Sequence, residues 1–498
     1  MPEMQCNLDI TTRVLLGHIQ DHLAQNGISG YVVGGFLRDL VLGRPERDID
    51  VALGGNAPDI GSSLARELDA KLVPLDETNG VVRLILLRPE DNNRQIDLST
   101  IHGEITSDLR RRDLTIDALA CDLAIPIWNQ SGPLTLELID PLGGLMDIKD
   151  RLVRATGDDV FKQDALRLMR AVRFAAELGF SIDCNTESLI RRDAFLLQQV
   201  AGERVREELL RLLTLIGTDA TLIYMQELDL VTAIIPELAP SVGLKQHSDH
   251  QWDVFKHSAH SVAAFDFLLR RCQWPHSNPS VLDDVPWNES LSTYFNTTIS
   301  HTSTRRELIK LAALLHDIAK PQTRTVAPNG KLCFYGHPQE GAPIVEKIME
   351  RLRFSTKENK LVTSIVRHHL RPVQISGDDA MPSRRAVYRM LRDMGDAAPA
   401  TLYFSLADHL ATRGNKLDLT NWRHHANIVA YALSESENVA SITPEPLLNG
   451  YDLQHEFGLI PGVRLGKIMI ELNEAQATGE ITSKEEARQY TARLIETI

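Results

Sequence analysis

Asp48 and Asp50 stand two residues apart in the stretch Asp48-Ile49-Asp50-Val51-Ala52. Alternation with period two predicts a strand that carries both carboxylates on one face and Ile49 and Val51 on the other. Two acids on adjacent same-face positions repel unless a cation lies between them. An oxygen-only donor set suits one or two divalent ions of the Mg²⁺ type, which keep room for substrate phosphates. Upstream, Tyr31-Val-Val predicts a buried strand, Gly34-Gly35 a turn, and residues 36–42 a short helix with Gly43 at its C-cap. That turn sets the backbone N–H of Gly35 at a helix N-terminus, where a triphosphate can be held, and Arg38 adds a fork of donors one turn on. Together these parts describe nucleotidyl transfer by two metals roughly 3.5–4 Å apart. A lone D-x-D is most often a solvated turn and a Gly-Gly merely a bend. The ordered set G-G-x-x-R-D-x-x-x-G-x-x-x-x-D-x-D carries the reading.

This stretch resembles the catalytic motif of the class II tRNA nucleotidyltransferases and bacterial poly(A) polymerases, within the polymerase-beta-type superfamily. Further on, Asp108-Leu-Arg-Arg-Arg-Asp-Leu-Thr-Ile-Asp-Ala-Leu-Ala120 sets an Arg cluster before an apolar run that reads as helix. It is similar to the family's R-R-D-F-T-I-N-A-L-A motif, with Arg112 and Asp113 in the matching places, Leu114 for Phe and Asp117 for Asn. Asp97, on a short strand at 96–98, is either a third acid facing the metals or a surface strand end. Residues 161–174 read as one helix on which Gln163, Arg167 and Arg170 share a face, with Asp164 at its edge. The resemblance implies that Asp164 and Arg167 read the base edge of CTP or ATP, and that Arg170 and Arg173 reach phosphate. Gln163 stands where the family has Glu, which puts base selection in question. Asp140-Pro-Leu-Gly-Gly-Leu-Met-Asp147 resembles the element that links the catalytic head to a helical neck.

A second constellation lies downstream: His257, His316-Asp317, His337, His368-His369 and Asp408. Any one His on a helix is most often a packed or surface group. The order H…HD…H…H…D resembles the HD phosphohydrolase superfamily. That resemblance implies a core set of His257, His316, Asp317 and Asp408, with His337 and His368 completing a binuclear site. Mixed imidazole and carboxylate donors suit a divalent transition metal.

These motifs need scaffolding. Helices are expected over 8–27 and 59–70, and strands over 71–74 and 81–87. The fold class expected is α+β: a nucleotidyltransferase head of mixed sheet and helices (1–155), an all-α neck and body (156–245), an all-α HD domain (246–420) and an acidic helical tail (421–498). Residues 274–304, rich in Ser, Asn, Thr and Pro, read as a flexible surface insertion. The 498 residues carry a net charge of −14, which argues against broad nonspecific nucleic-acid binding but not against local tracks such as Arg110-Arg111-Arg112. Five scattered cysteines exclude a C-x-x-C zinc cluster, and no run of eighteen apolar residues predicts a membrane span. Without a signal pattern the expected compartment is the cytoplasm, which leaves two N-x-S/T sequons without meaning. The expected partners are tRNA, CTP and ATP, and the expected reaction is addition of C and/or A to a tRNA 3′ end. The alternatives are a poly(A) polymerase, a CC-only or A-only enzyme, or an HD phosphohydrolase with a regulatory head. The segment 98–109, where full CCA-adding relatives carry a longer flexible loop with further Arg and aromatic residues, is short and has His102 as its one ring. A shortened loop is a mark of the CC-only members of the family.

Overall fold

The computed structural model describes residues 3–497 except 46–47, 78–79, 88–93, 127, 129–131, 247–250, 301–302, 376–379 and 442–445. Eight strands form one mixed sheet in the order β1-β8-β7-β2-β3-β6-β5-β4. Their ranges are β1 Glu3–Cys6, β2 Gly30–Val33, β3 Ile49–Leu53, β4 Ala70–Asp76, β5 Val81–Leu86, β6 Gln95–Thr100, β7 Ala120–Asp122 and β8 Leu134–Ile139. Within the sheet β3 and β6 run parallel, and the other neighbours are antiparallel. The central strands β2 and β3 are almost wholly apolar and buried, with Asp50 the half-buried exception in β3.

Helices α1 (Ile10–Gln25), α2 (Gly35–Val41), α3 (Ala57–Leu68), α4 (Ile105–Leu109) and α5 (Gly144–Asp150) complete the head. Asp9 caps α1 through the Thr12 N–H, and Asn56 caps α3 through the Asp59 N–H. The chain divides into two compact units: residues 1–200 with 228–233, and residues 201–227 with 234–498. The first therefore includes the helix Leu166–Leu178, which the expected boundary at residue 155 assigned to a separate neck.

Three local expectations are corrected, and the short segment 98–109 takes a defined form. Residues 161–174 are not one helix: Asp164 is extended (φ −152°, ψ 106°) between the turn Val160–Gln163 and the helix Leu166–Leu178. Its carboxylate accepts from the Leu166 N–H at 3.1 Å, so a cap replaces a helical turn. The apolar run after Arg112 is a single 3₁₀ turn, Thr115–Asp117, leading into β7, because Ala120 and Cys121 join the sheet beside β2. Segment 98–109 is the end of β6 followed by α4, whose Ile105 and Leu109 are buried against Val33, Ala52 and Ala120. Finally, the described residues of 274–304 are folded, with a 3₁₀ turn at Pro279–Asp284 and a helix at Glu289–Asn296. Trp274, Val281, Val285, Leu291 and Phe295 recur closely enough to anchor it, each under 10% exposed.

The second unit is otherwise helical. Helices Val254–Leu268, Arg305–Leu315, Thr356–His368 and Ala398–Arg413 pack together around one core, with Tyr403, Phe404 and Phe265 at zero exposure. The end of the chain has a small core of its own, built on Leu448, Leu453, Ile468, Leu472 and Ala487. No helix among the described residues is long and apolar enough to cross a membrane.

Candidate active site and a buried histidine cluster

Gly34 leaves β2 at φ +71°, a conformation that glycine adopts without strain. A Cβ there would lie 2.7 Å from an Arg112 Nη1 and 3.4 Å from Asp50 Oδ2. The turn therefore lies against a carboxylate with a guanidinium beside it, and any side chain would force them apart. Asp50 pairs in register with Asp97 across the parallel β3–β6 ladder. Asp97 in turn is held by a bidentate Arg83, at 2.7 and 2.8 Å. Of the two readings left open for Asp97, the register favours a third acid on the same face.

Asp50 is consequently unhappy as an anion. Burial, then Asp97, Asp117 and Asp48, push its pKa up to about 7 against the pull of Arg112. Asp48 lies just before β3 and is exposed. Acids crowded this way, with one of them driven toward protonation, fit a divalent cation.

The cationic residues divide. Arg112 faces the turn, with its Nη1 3.4 Å from the Asp117 carbonyl oxygen. Arg38 reaches the turn, with its Nη2 3.5 Å from where a Cβ on Gly35 would lie, but its donors are largely engaged by carboxylates. It is 5% exposed and donates to Asp39 at 2.9 Å and to Asp117 at 2.7 Å, with Phe174 4.8 Å away. The departure from Asn to Asp at 117 thus completes a buried ion pair that braces α2. Arg173 is likewise buried, paired with Glu177 at 2.8 Å and stacked on Phe174 at 4.2 Å, which removes it from the phosphate role implied by resemblance. Arg170 donates to Asp113 at 2.6 Å, and burial of Asp113 is outweighed by Arg170 and Arg167, which hold its carboxyl below the usual range. Arg167 contacts the Gln163 amide oxygen and the Val160 carbonyl at 3.3 Å, and the Arg111 carbonyl at 3.1 Å. The base-reading pair proposed by resemblance, Asp164 and Arg167, therefore stands at the break between two helices. Arg83 was missed in the sequence; its outward place in β5 opposite Asp97 was the available signal.

In the second unit six side chains converge. His257 Nε2 is 2.9 Å from Asp408 Oδ1, and His316 Nε2 is 3.1 Å from Asp317 Oδ2. His337 Nε2 is 3.2 Å from Asp317 Oδ1 and 3.3 Å from the Nε2 of His369. The Nδ1 atoms of His316, His337 and His369 sit 2.7–2.9 Å from the carbonyls of Ala313, Phe334 and Val366. A carbonyl can only accept, so each Nδ1 carries the proton and each Nε2 lone pair faces the cluster, as metal ligation requires. These donors fit a divalent transition metal. His369, at 1% exposure, occupies the place expected for His368. His368 is half-buried on another side of its helix, with Glu350, Arg367 and Asp393. Lys320 Nζ, missed in the sequence, lies 2.6 Å from Asp317. A cavity of about 520 Å³ opens on the cluster, lined also by Lys320, Tyr335 and Arg413.

Known proteins agree with this arrangement. Residues 30–154 match the Poly A polymerase head domain, 179–242 the probable RNA and SrmB-binding site of polymerase A, and 288–413 the HD domain. The chain is 31% identical to the A-adding tRNA nucleotidyltransferase of Deinococcus radiodurans over 93% of its own length and 95% of that protein. The chain belongs to the class II tRNA nucleotidyltransferase family. The CC-adding tRNA nucleotidyltransferase of Thermus thermophilus is 30% identical over 92% of both chains. Among solved structures, a CCA-adding enzyme with ATP has a TM-score of 0.63 at 20% identity, covering 99% of this chain and 96% of its own. The Thermotoga maritima CCA-adding enzyme with tRNA scores 0.59 at 20% identity, covering 99% and 100%. These two share the fold. The chain is thus a nucleotidyltransferase whose second unit carries an HD domain.

Proposed function

We propose that this nucleotidyltransferase extends the 3′ end of tRNA without a template, adding C and/or A from CTP and ATP in the cytoplasm. The 3′-hydroxyl of the RNA attacks the α-phosphate of the nucleotide, the bond to the β-phosphate oxygen breaks, and pyrophosphate leaves. The carrying observation is the stacking of Asp50 on Asp97 beneath a glycine turn, with Arg112 alongside. Asp48 and Asp50 would hold Mg²⁺, with Asp97 beside them; bound there, the ion neutralises charge on the phosphates and lowers the pKa of the attacking hydroxyl. Arg112 places fixed positive charge beside the turn, where the triphosphate of the incoming nucleotide is expected at Gly35. Arg170, kept in position by Asp113, extends that positive field. Asp164 and Arg167 select the base by offering an acceptor and a donor to its edge.

A narrower activity, CC-only or A-only, is favoured by two observations. The relatives matched over more than 90% of their length are an A-adding and a CC-adding enzyme. In addition, segment 98–109 is occupied by a strand end and the buried α4 rather than a long loop. Incubating the protein with tRNAs ending before C, after CC and after CCA, each with a single labelled nucleotide, tests the proposal. Extension of the matching tRNA supports it. Extension of unstructured RNA with ATP alone would replace it by poly(A) synthesis.

A further inference from the structure

Away from both sites, a third group of donors meets on the flank of the helix Val254–Leu268. Asp219 comes from the first turn of the helix Asp219–Glu227, His260 from the middle of Val254–Leu268, and His276 from the first residues of the insertion. One donor atom from each lies within 4.8 Å of the other two. His260 Nδ1 and Asp219 Oδ2 are 2.9 Å apart.

The surroundings resemble a ligand shell more than a surface ion pair. The ring of Trp252 lies 4.1 Å from that of His260 and 5.2 Å from that of His276, and Trp274 lies 5.3 Å from His276. The two imidazoles are themselves 5.0 Å apart, edge to face. Aromatic cover of this kind lowers the local dielectric around the ring of His276, and a neutral imidazole is the form that binds metal. Burial and the neighbouring His260 indeed push the pKa of His276 down. Burial would raise Asp219, yet its contact with His260 holds the carboxyl below the usual range, so the carboxylate is ready at neutral pH.

We propose that Asp219, His260 and His276 form a divalent transition-metal site, of the Zn²⁺ class, that clips the insertion to the helices beneath it. Two nitrogens and one oxygen are a familiar three-ligand zinc set with a fourth position left for water. With metal–ligand bonds of about 2.0–2.1 Å, the edge of a tetrahedral site is about 3.3 Å. A 2.9 Å Asp219–His260 gap thus needs little opening, and His276, carried on a connecting segment, makes the larger approach. The site is built from different residues than the HD cluster, although His257 and His260 lie one turn apart on the same helix.

Zinc stoichiometry of the chelator-treated full-length protein, by equilibrium dialysis and elemental analysis, tests this. His276→Ala should bind one equivalent fewer than wild type and keep its nucleotide incorporation, and His369→Ala combined with His276→Ala should lose the equivalents of both sites. Zn²⁺ should also protect His260 and His276 of the wild-type protein from carbethoxylation, read residue by residue by mass spectrometry. That second measurement needs no variant and stands if His276→Ala does not fold. Equal zinc content in wild type and a folded His276→Ala, or carbethoxylation of His276 indifferent to Zn²⁺, would overturn the proposal.

Discussion

The acids of the head and the histidine cluster of the second unit gather donors that suit a cation in opposite ways. The head site is shallow and local. Asp48, Asp50 and the glycine turn fall within seventeen residues, and Asp97 joins by one strand pairing. Its donors are all oxygens, and its negative charge is only partly offset, by Arg83 on Asp97 and by Arg112 beside Asp50, which leaves room for a divalent cation of the oxygen-preferring class. The HD cluster is deep and assembled from distant segments, His257 to Asp408, with Asp317 already held by Lys320 and by neighbouring imidazoles. There, burial would raise Asp317, but those partners hold it well below the usual carboxylate range. A partly open oxygen pair suits a cation that arrives with its substrate; a buried nitrogen–oxygen cage suits one that stays.

The contrast breaks most sharply at Asp50. Asp50→Ala should lower nucleotide incorporation at least about 10³-fold, roughly 4 kcal/mol of barrier, while the transition-metal content of the protein stays as in wild type. Residual transfer within tenfold of wild type would remove Asp50 from the metal site.

The two adjacent histidines sharpen it next. His369→Ala should weaken transition-metal binding at least about tenfold, whereas His368→Ala leaves it unchanged; isothermal titration with Mn²⁺ or Ni²⁺ separates them. The reverse order would place His368 in the cluster.

The raised pKa of Asp50 has a pH signature that the HD cluster does not share. Its folded value, about 7, lies above the unfolded 3.8, so the fold favours the protonated form. At limiting Mg²⁺, transfer should therefore rise about tenfold per pH unit below 7 and level off above it, with the midpoint falling as Mg²⁺ increases. In metal-free buffer Asp50→Asn should be more stable than wild type by an amount that grows from nothing below about pH 3 to about 4 kcal/mol at pH 7 and above, because between 3.8 and 7 the unfolded carboxyl gives up its proton while the folded one keeps it. Denaturant unfolding across that range measures the gap. A gap independent of pH would mean that Asp50 titrates normally.

Smaller effects are expected from the braces. Asp113→Asn should raise the KM for nucleotide about tenfold, or about 1.4 kcal/mol, by loosening Arg170, with kcat less changed in steady-state assays. Gln163→Glu should tighten Arg167 through a charged rather than a neutral acceptor and shift the CTP/ATP preference severalfold, roughly 0.5–1.5 kcal/mol. An unchanged ratio of kcat/KM values would exclude Gln163 from base selection.

What could be read without coordinates was whatever is local. Gly34-Gly35, the period-two Asp48-Ile49-Asp50 and the order of His and Asp residues downstream state their chemistry in a few residues each, because strand alternation and turn conformation depend on near neighbours. The fold class and the family followed from them. Helix phase was less legible. His368 and His369 differ by 100° on one helix, and only the buried stripe Val362, Ile365, Val366 decides that His369 faces inward. The stripe was present in the sequence and would have given the right choice.

Tertiary structure alone decided the rest. Residues 114–120 follow a helical pattern but make only a 3₁₀ turn before Ala120 and Cys121 enter the sheet, since pairing with β2 outweighs a weak local propensity. Asp164 ends one helix and caps the next, an outcome that depends on where both pack. Arg38 and Arg173 carry the charge expected of phosphate ligands, yet both are held in buried ion pairs: Asp117 meets Arg38 from 79 residues away, a contact that no periodicity announces, whereas Glu177 meets Arg173 at i,i+4, a pairing that helical spacing did offer. Whether an arginine faces substrate or braces the fold is set by which carboxylate reaches it first, and that is a fact of three dimensions.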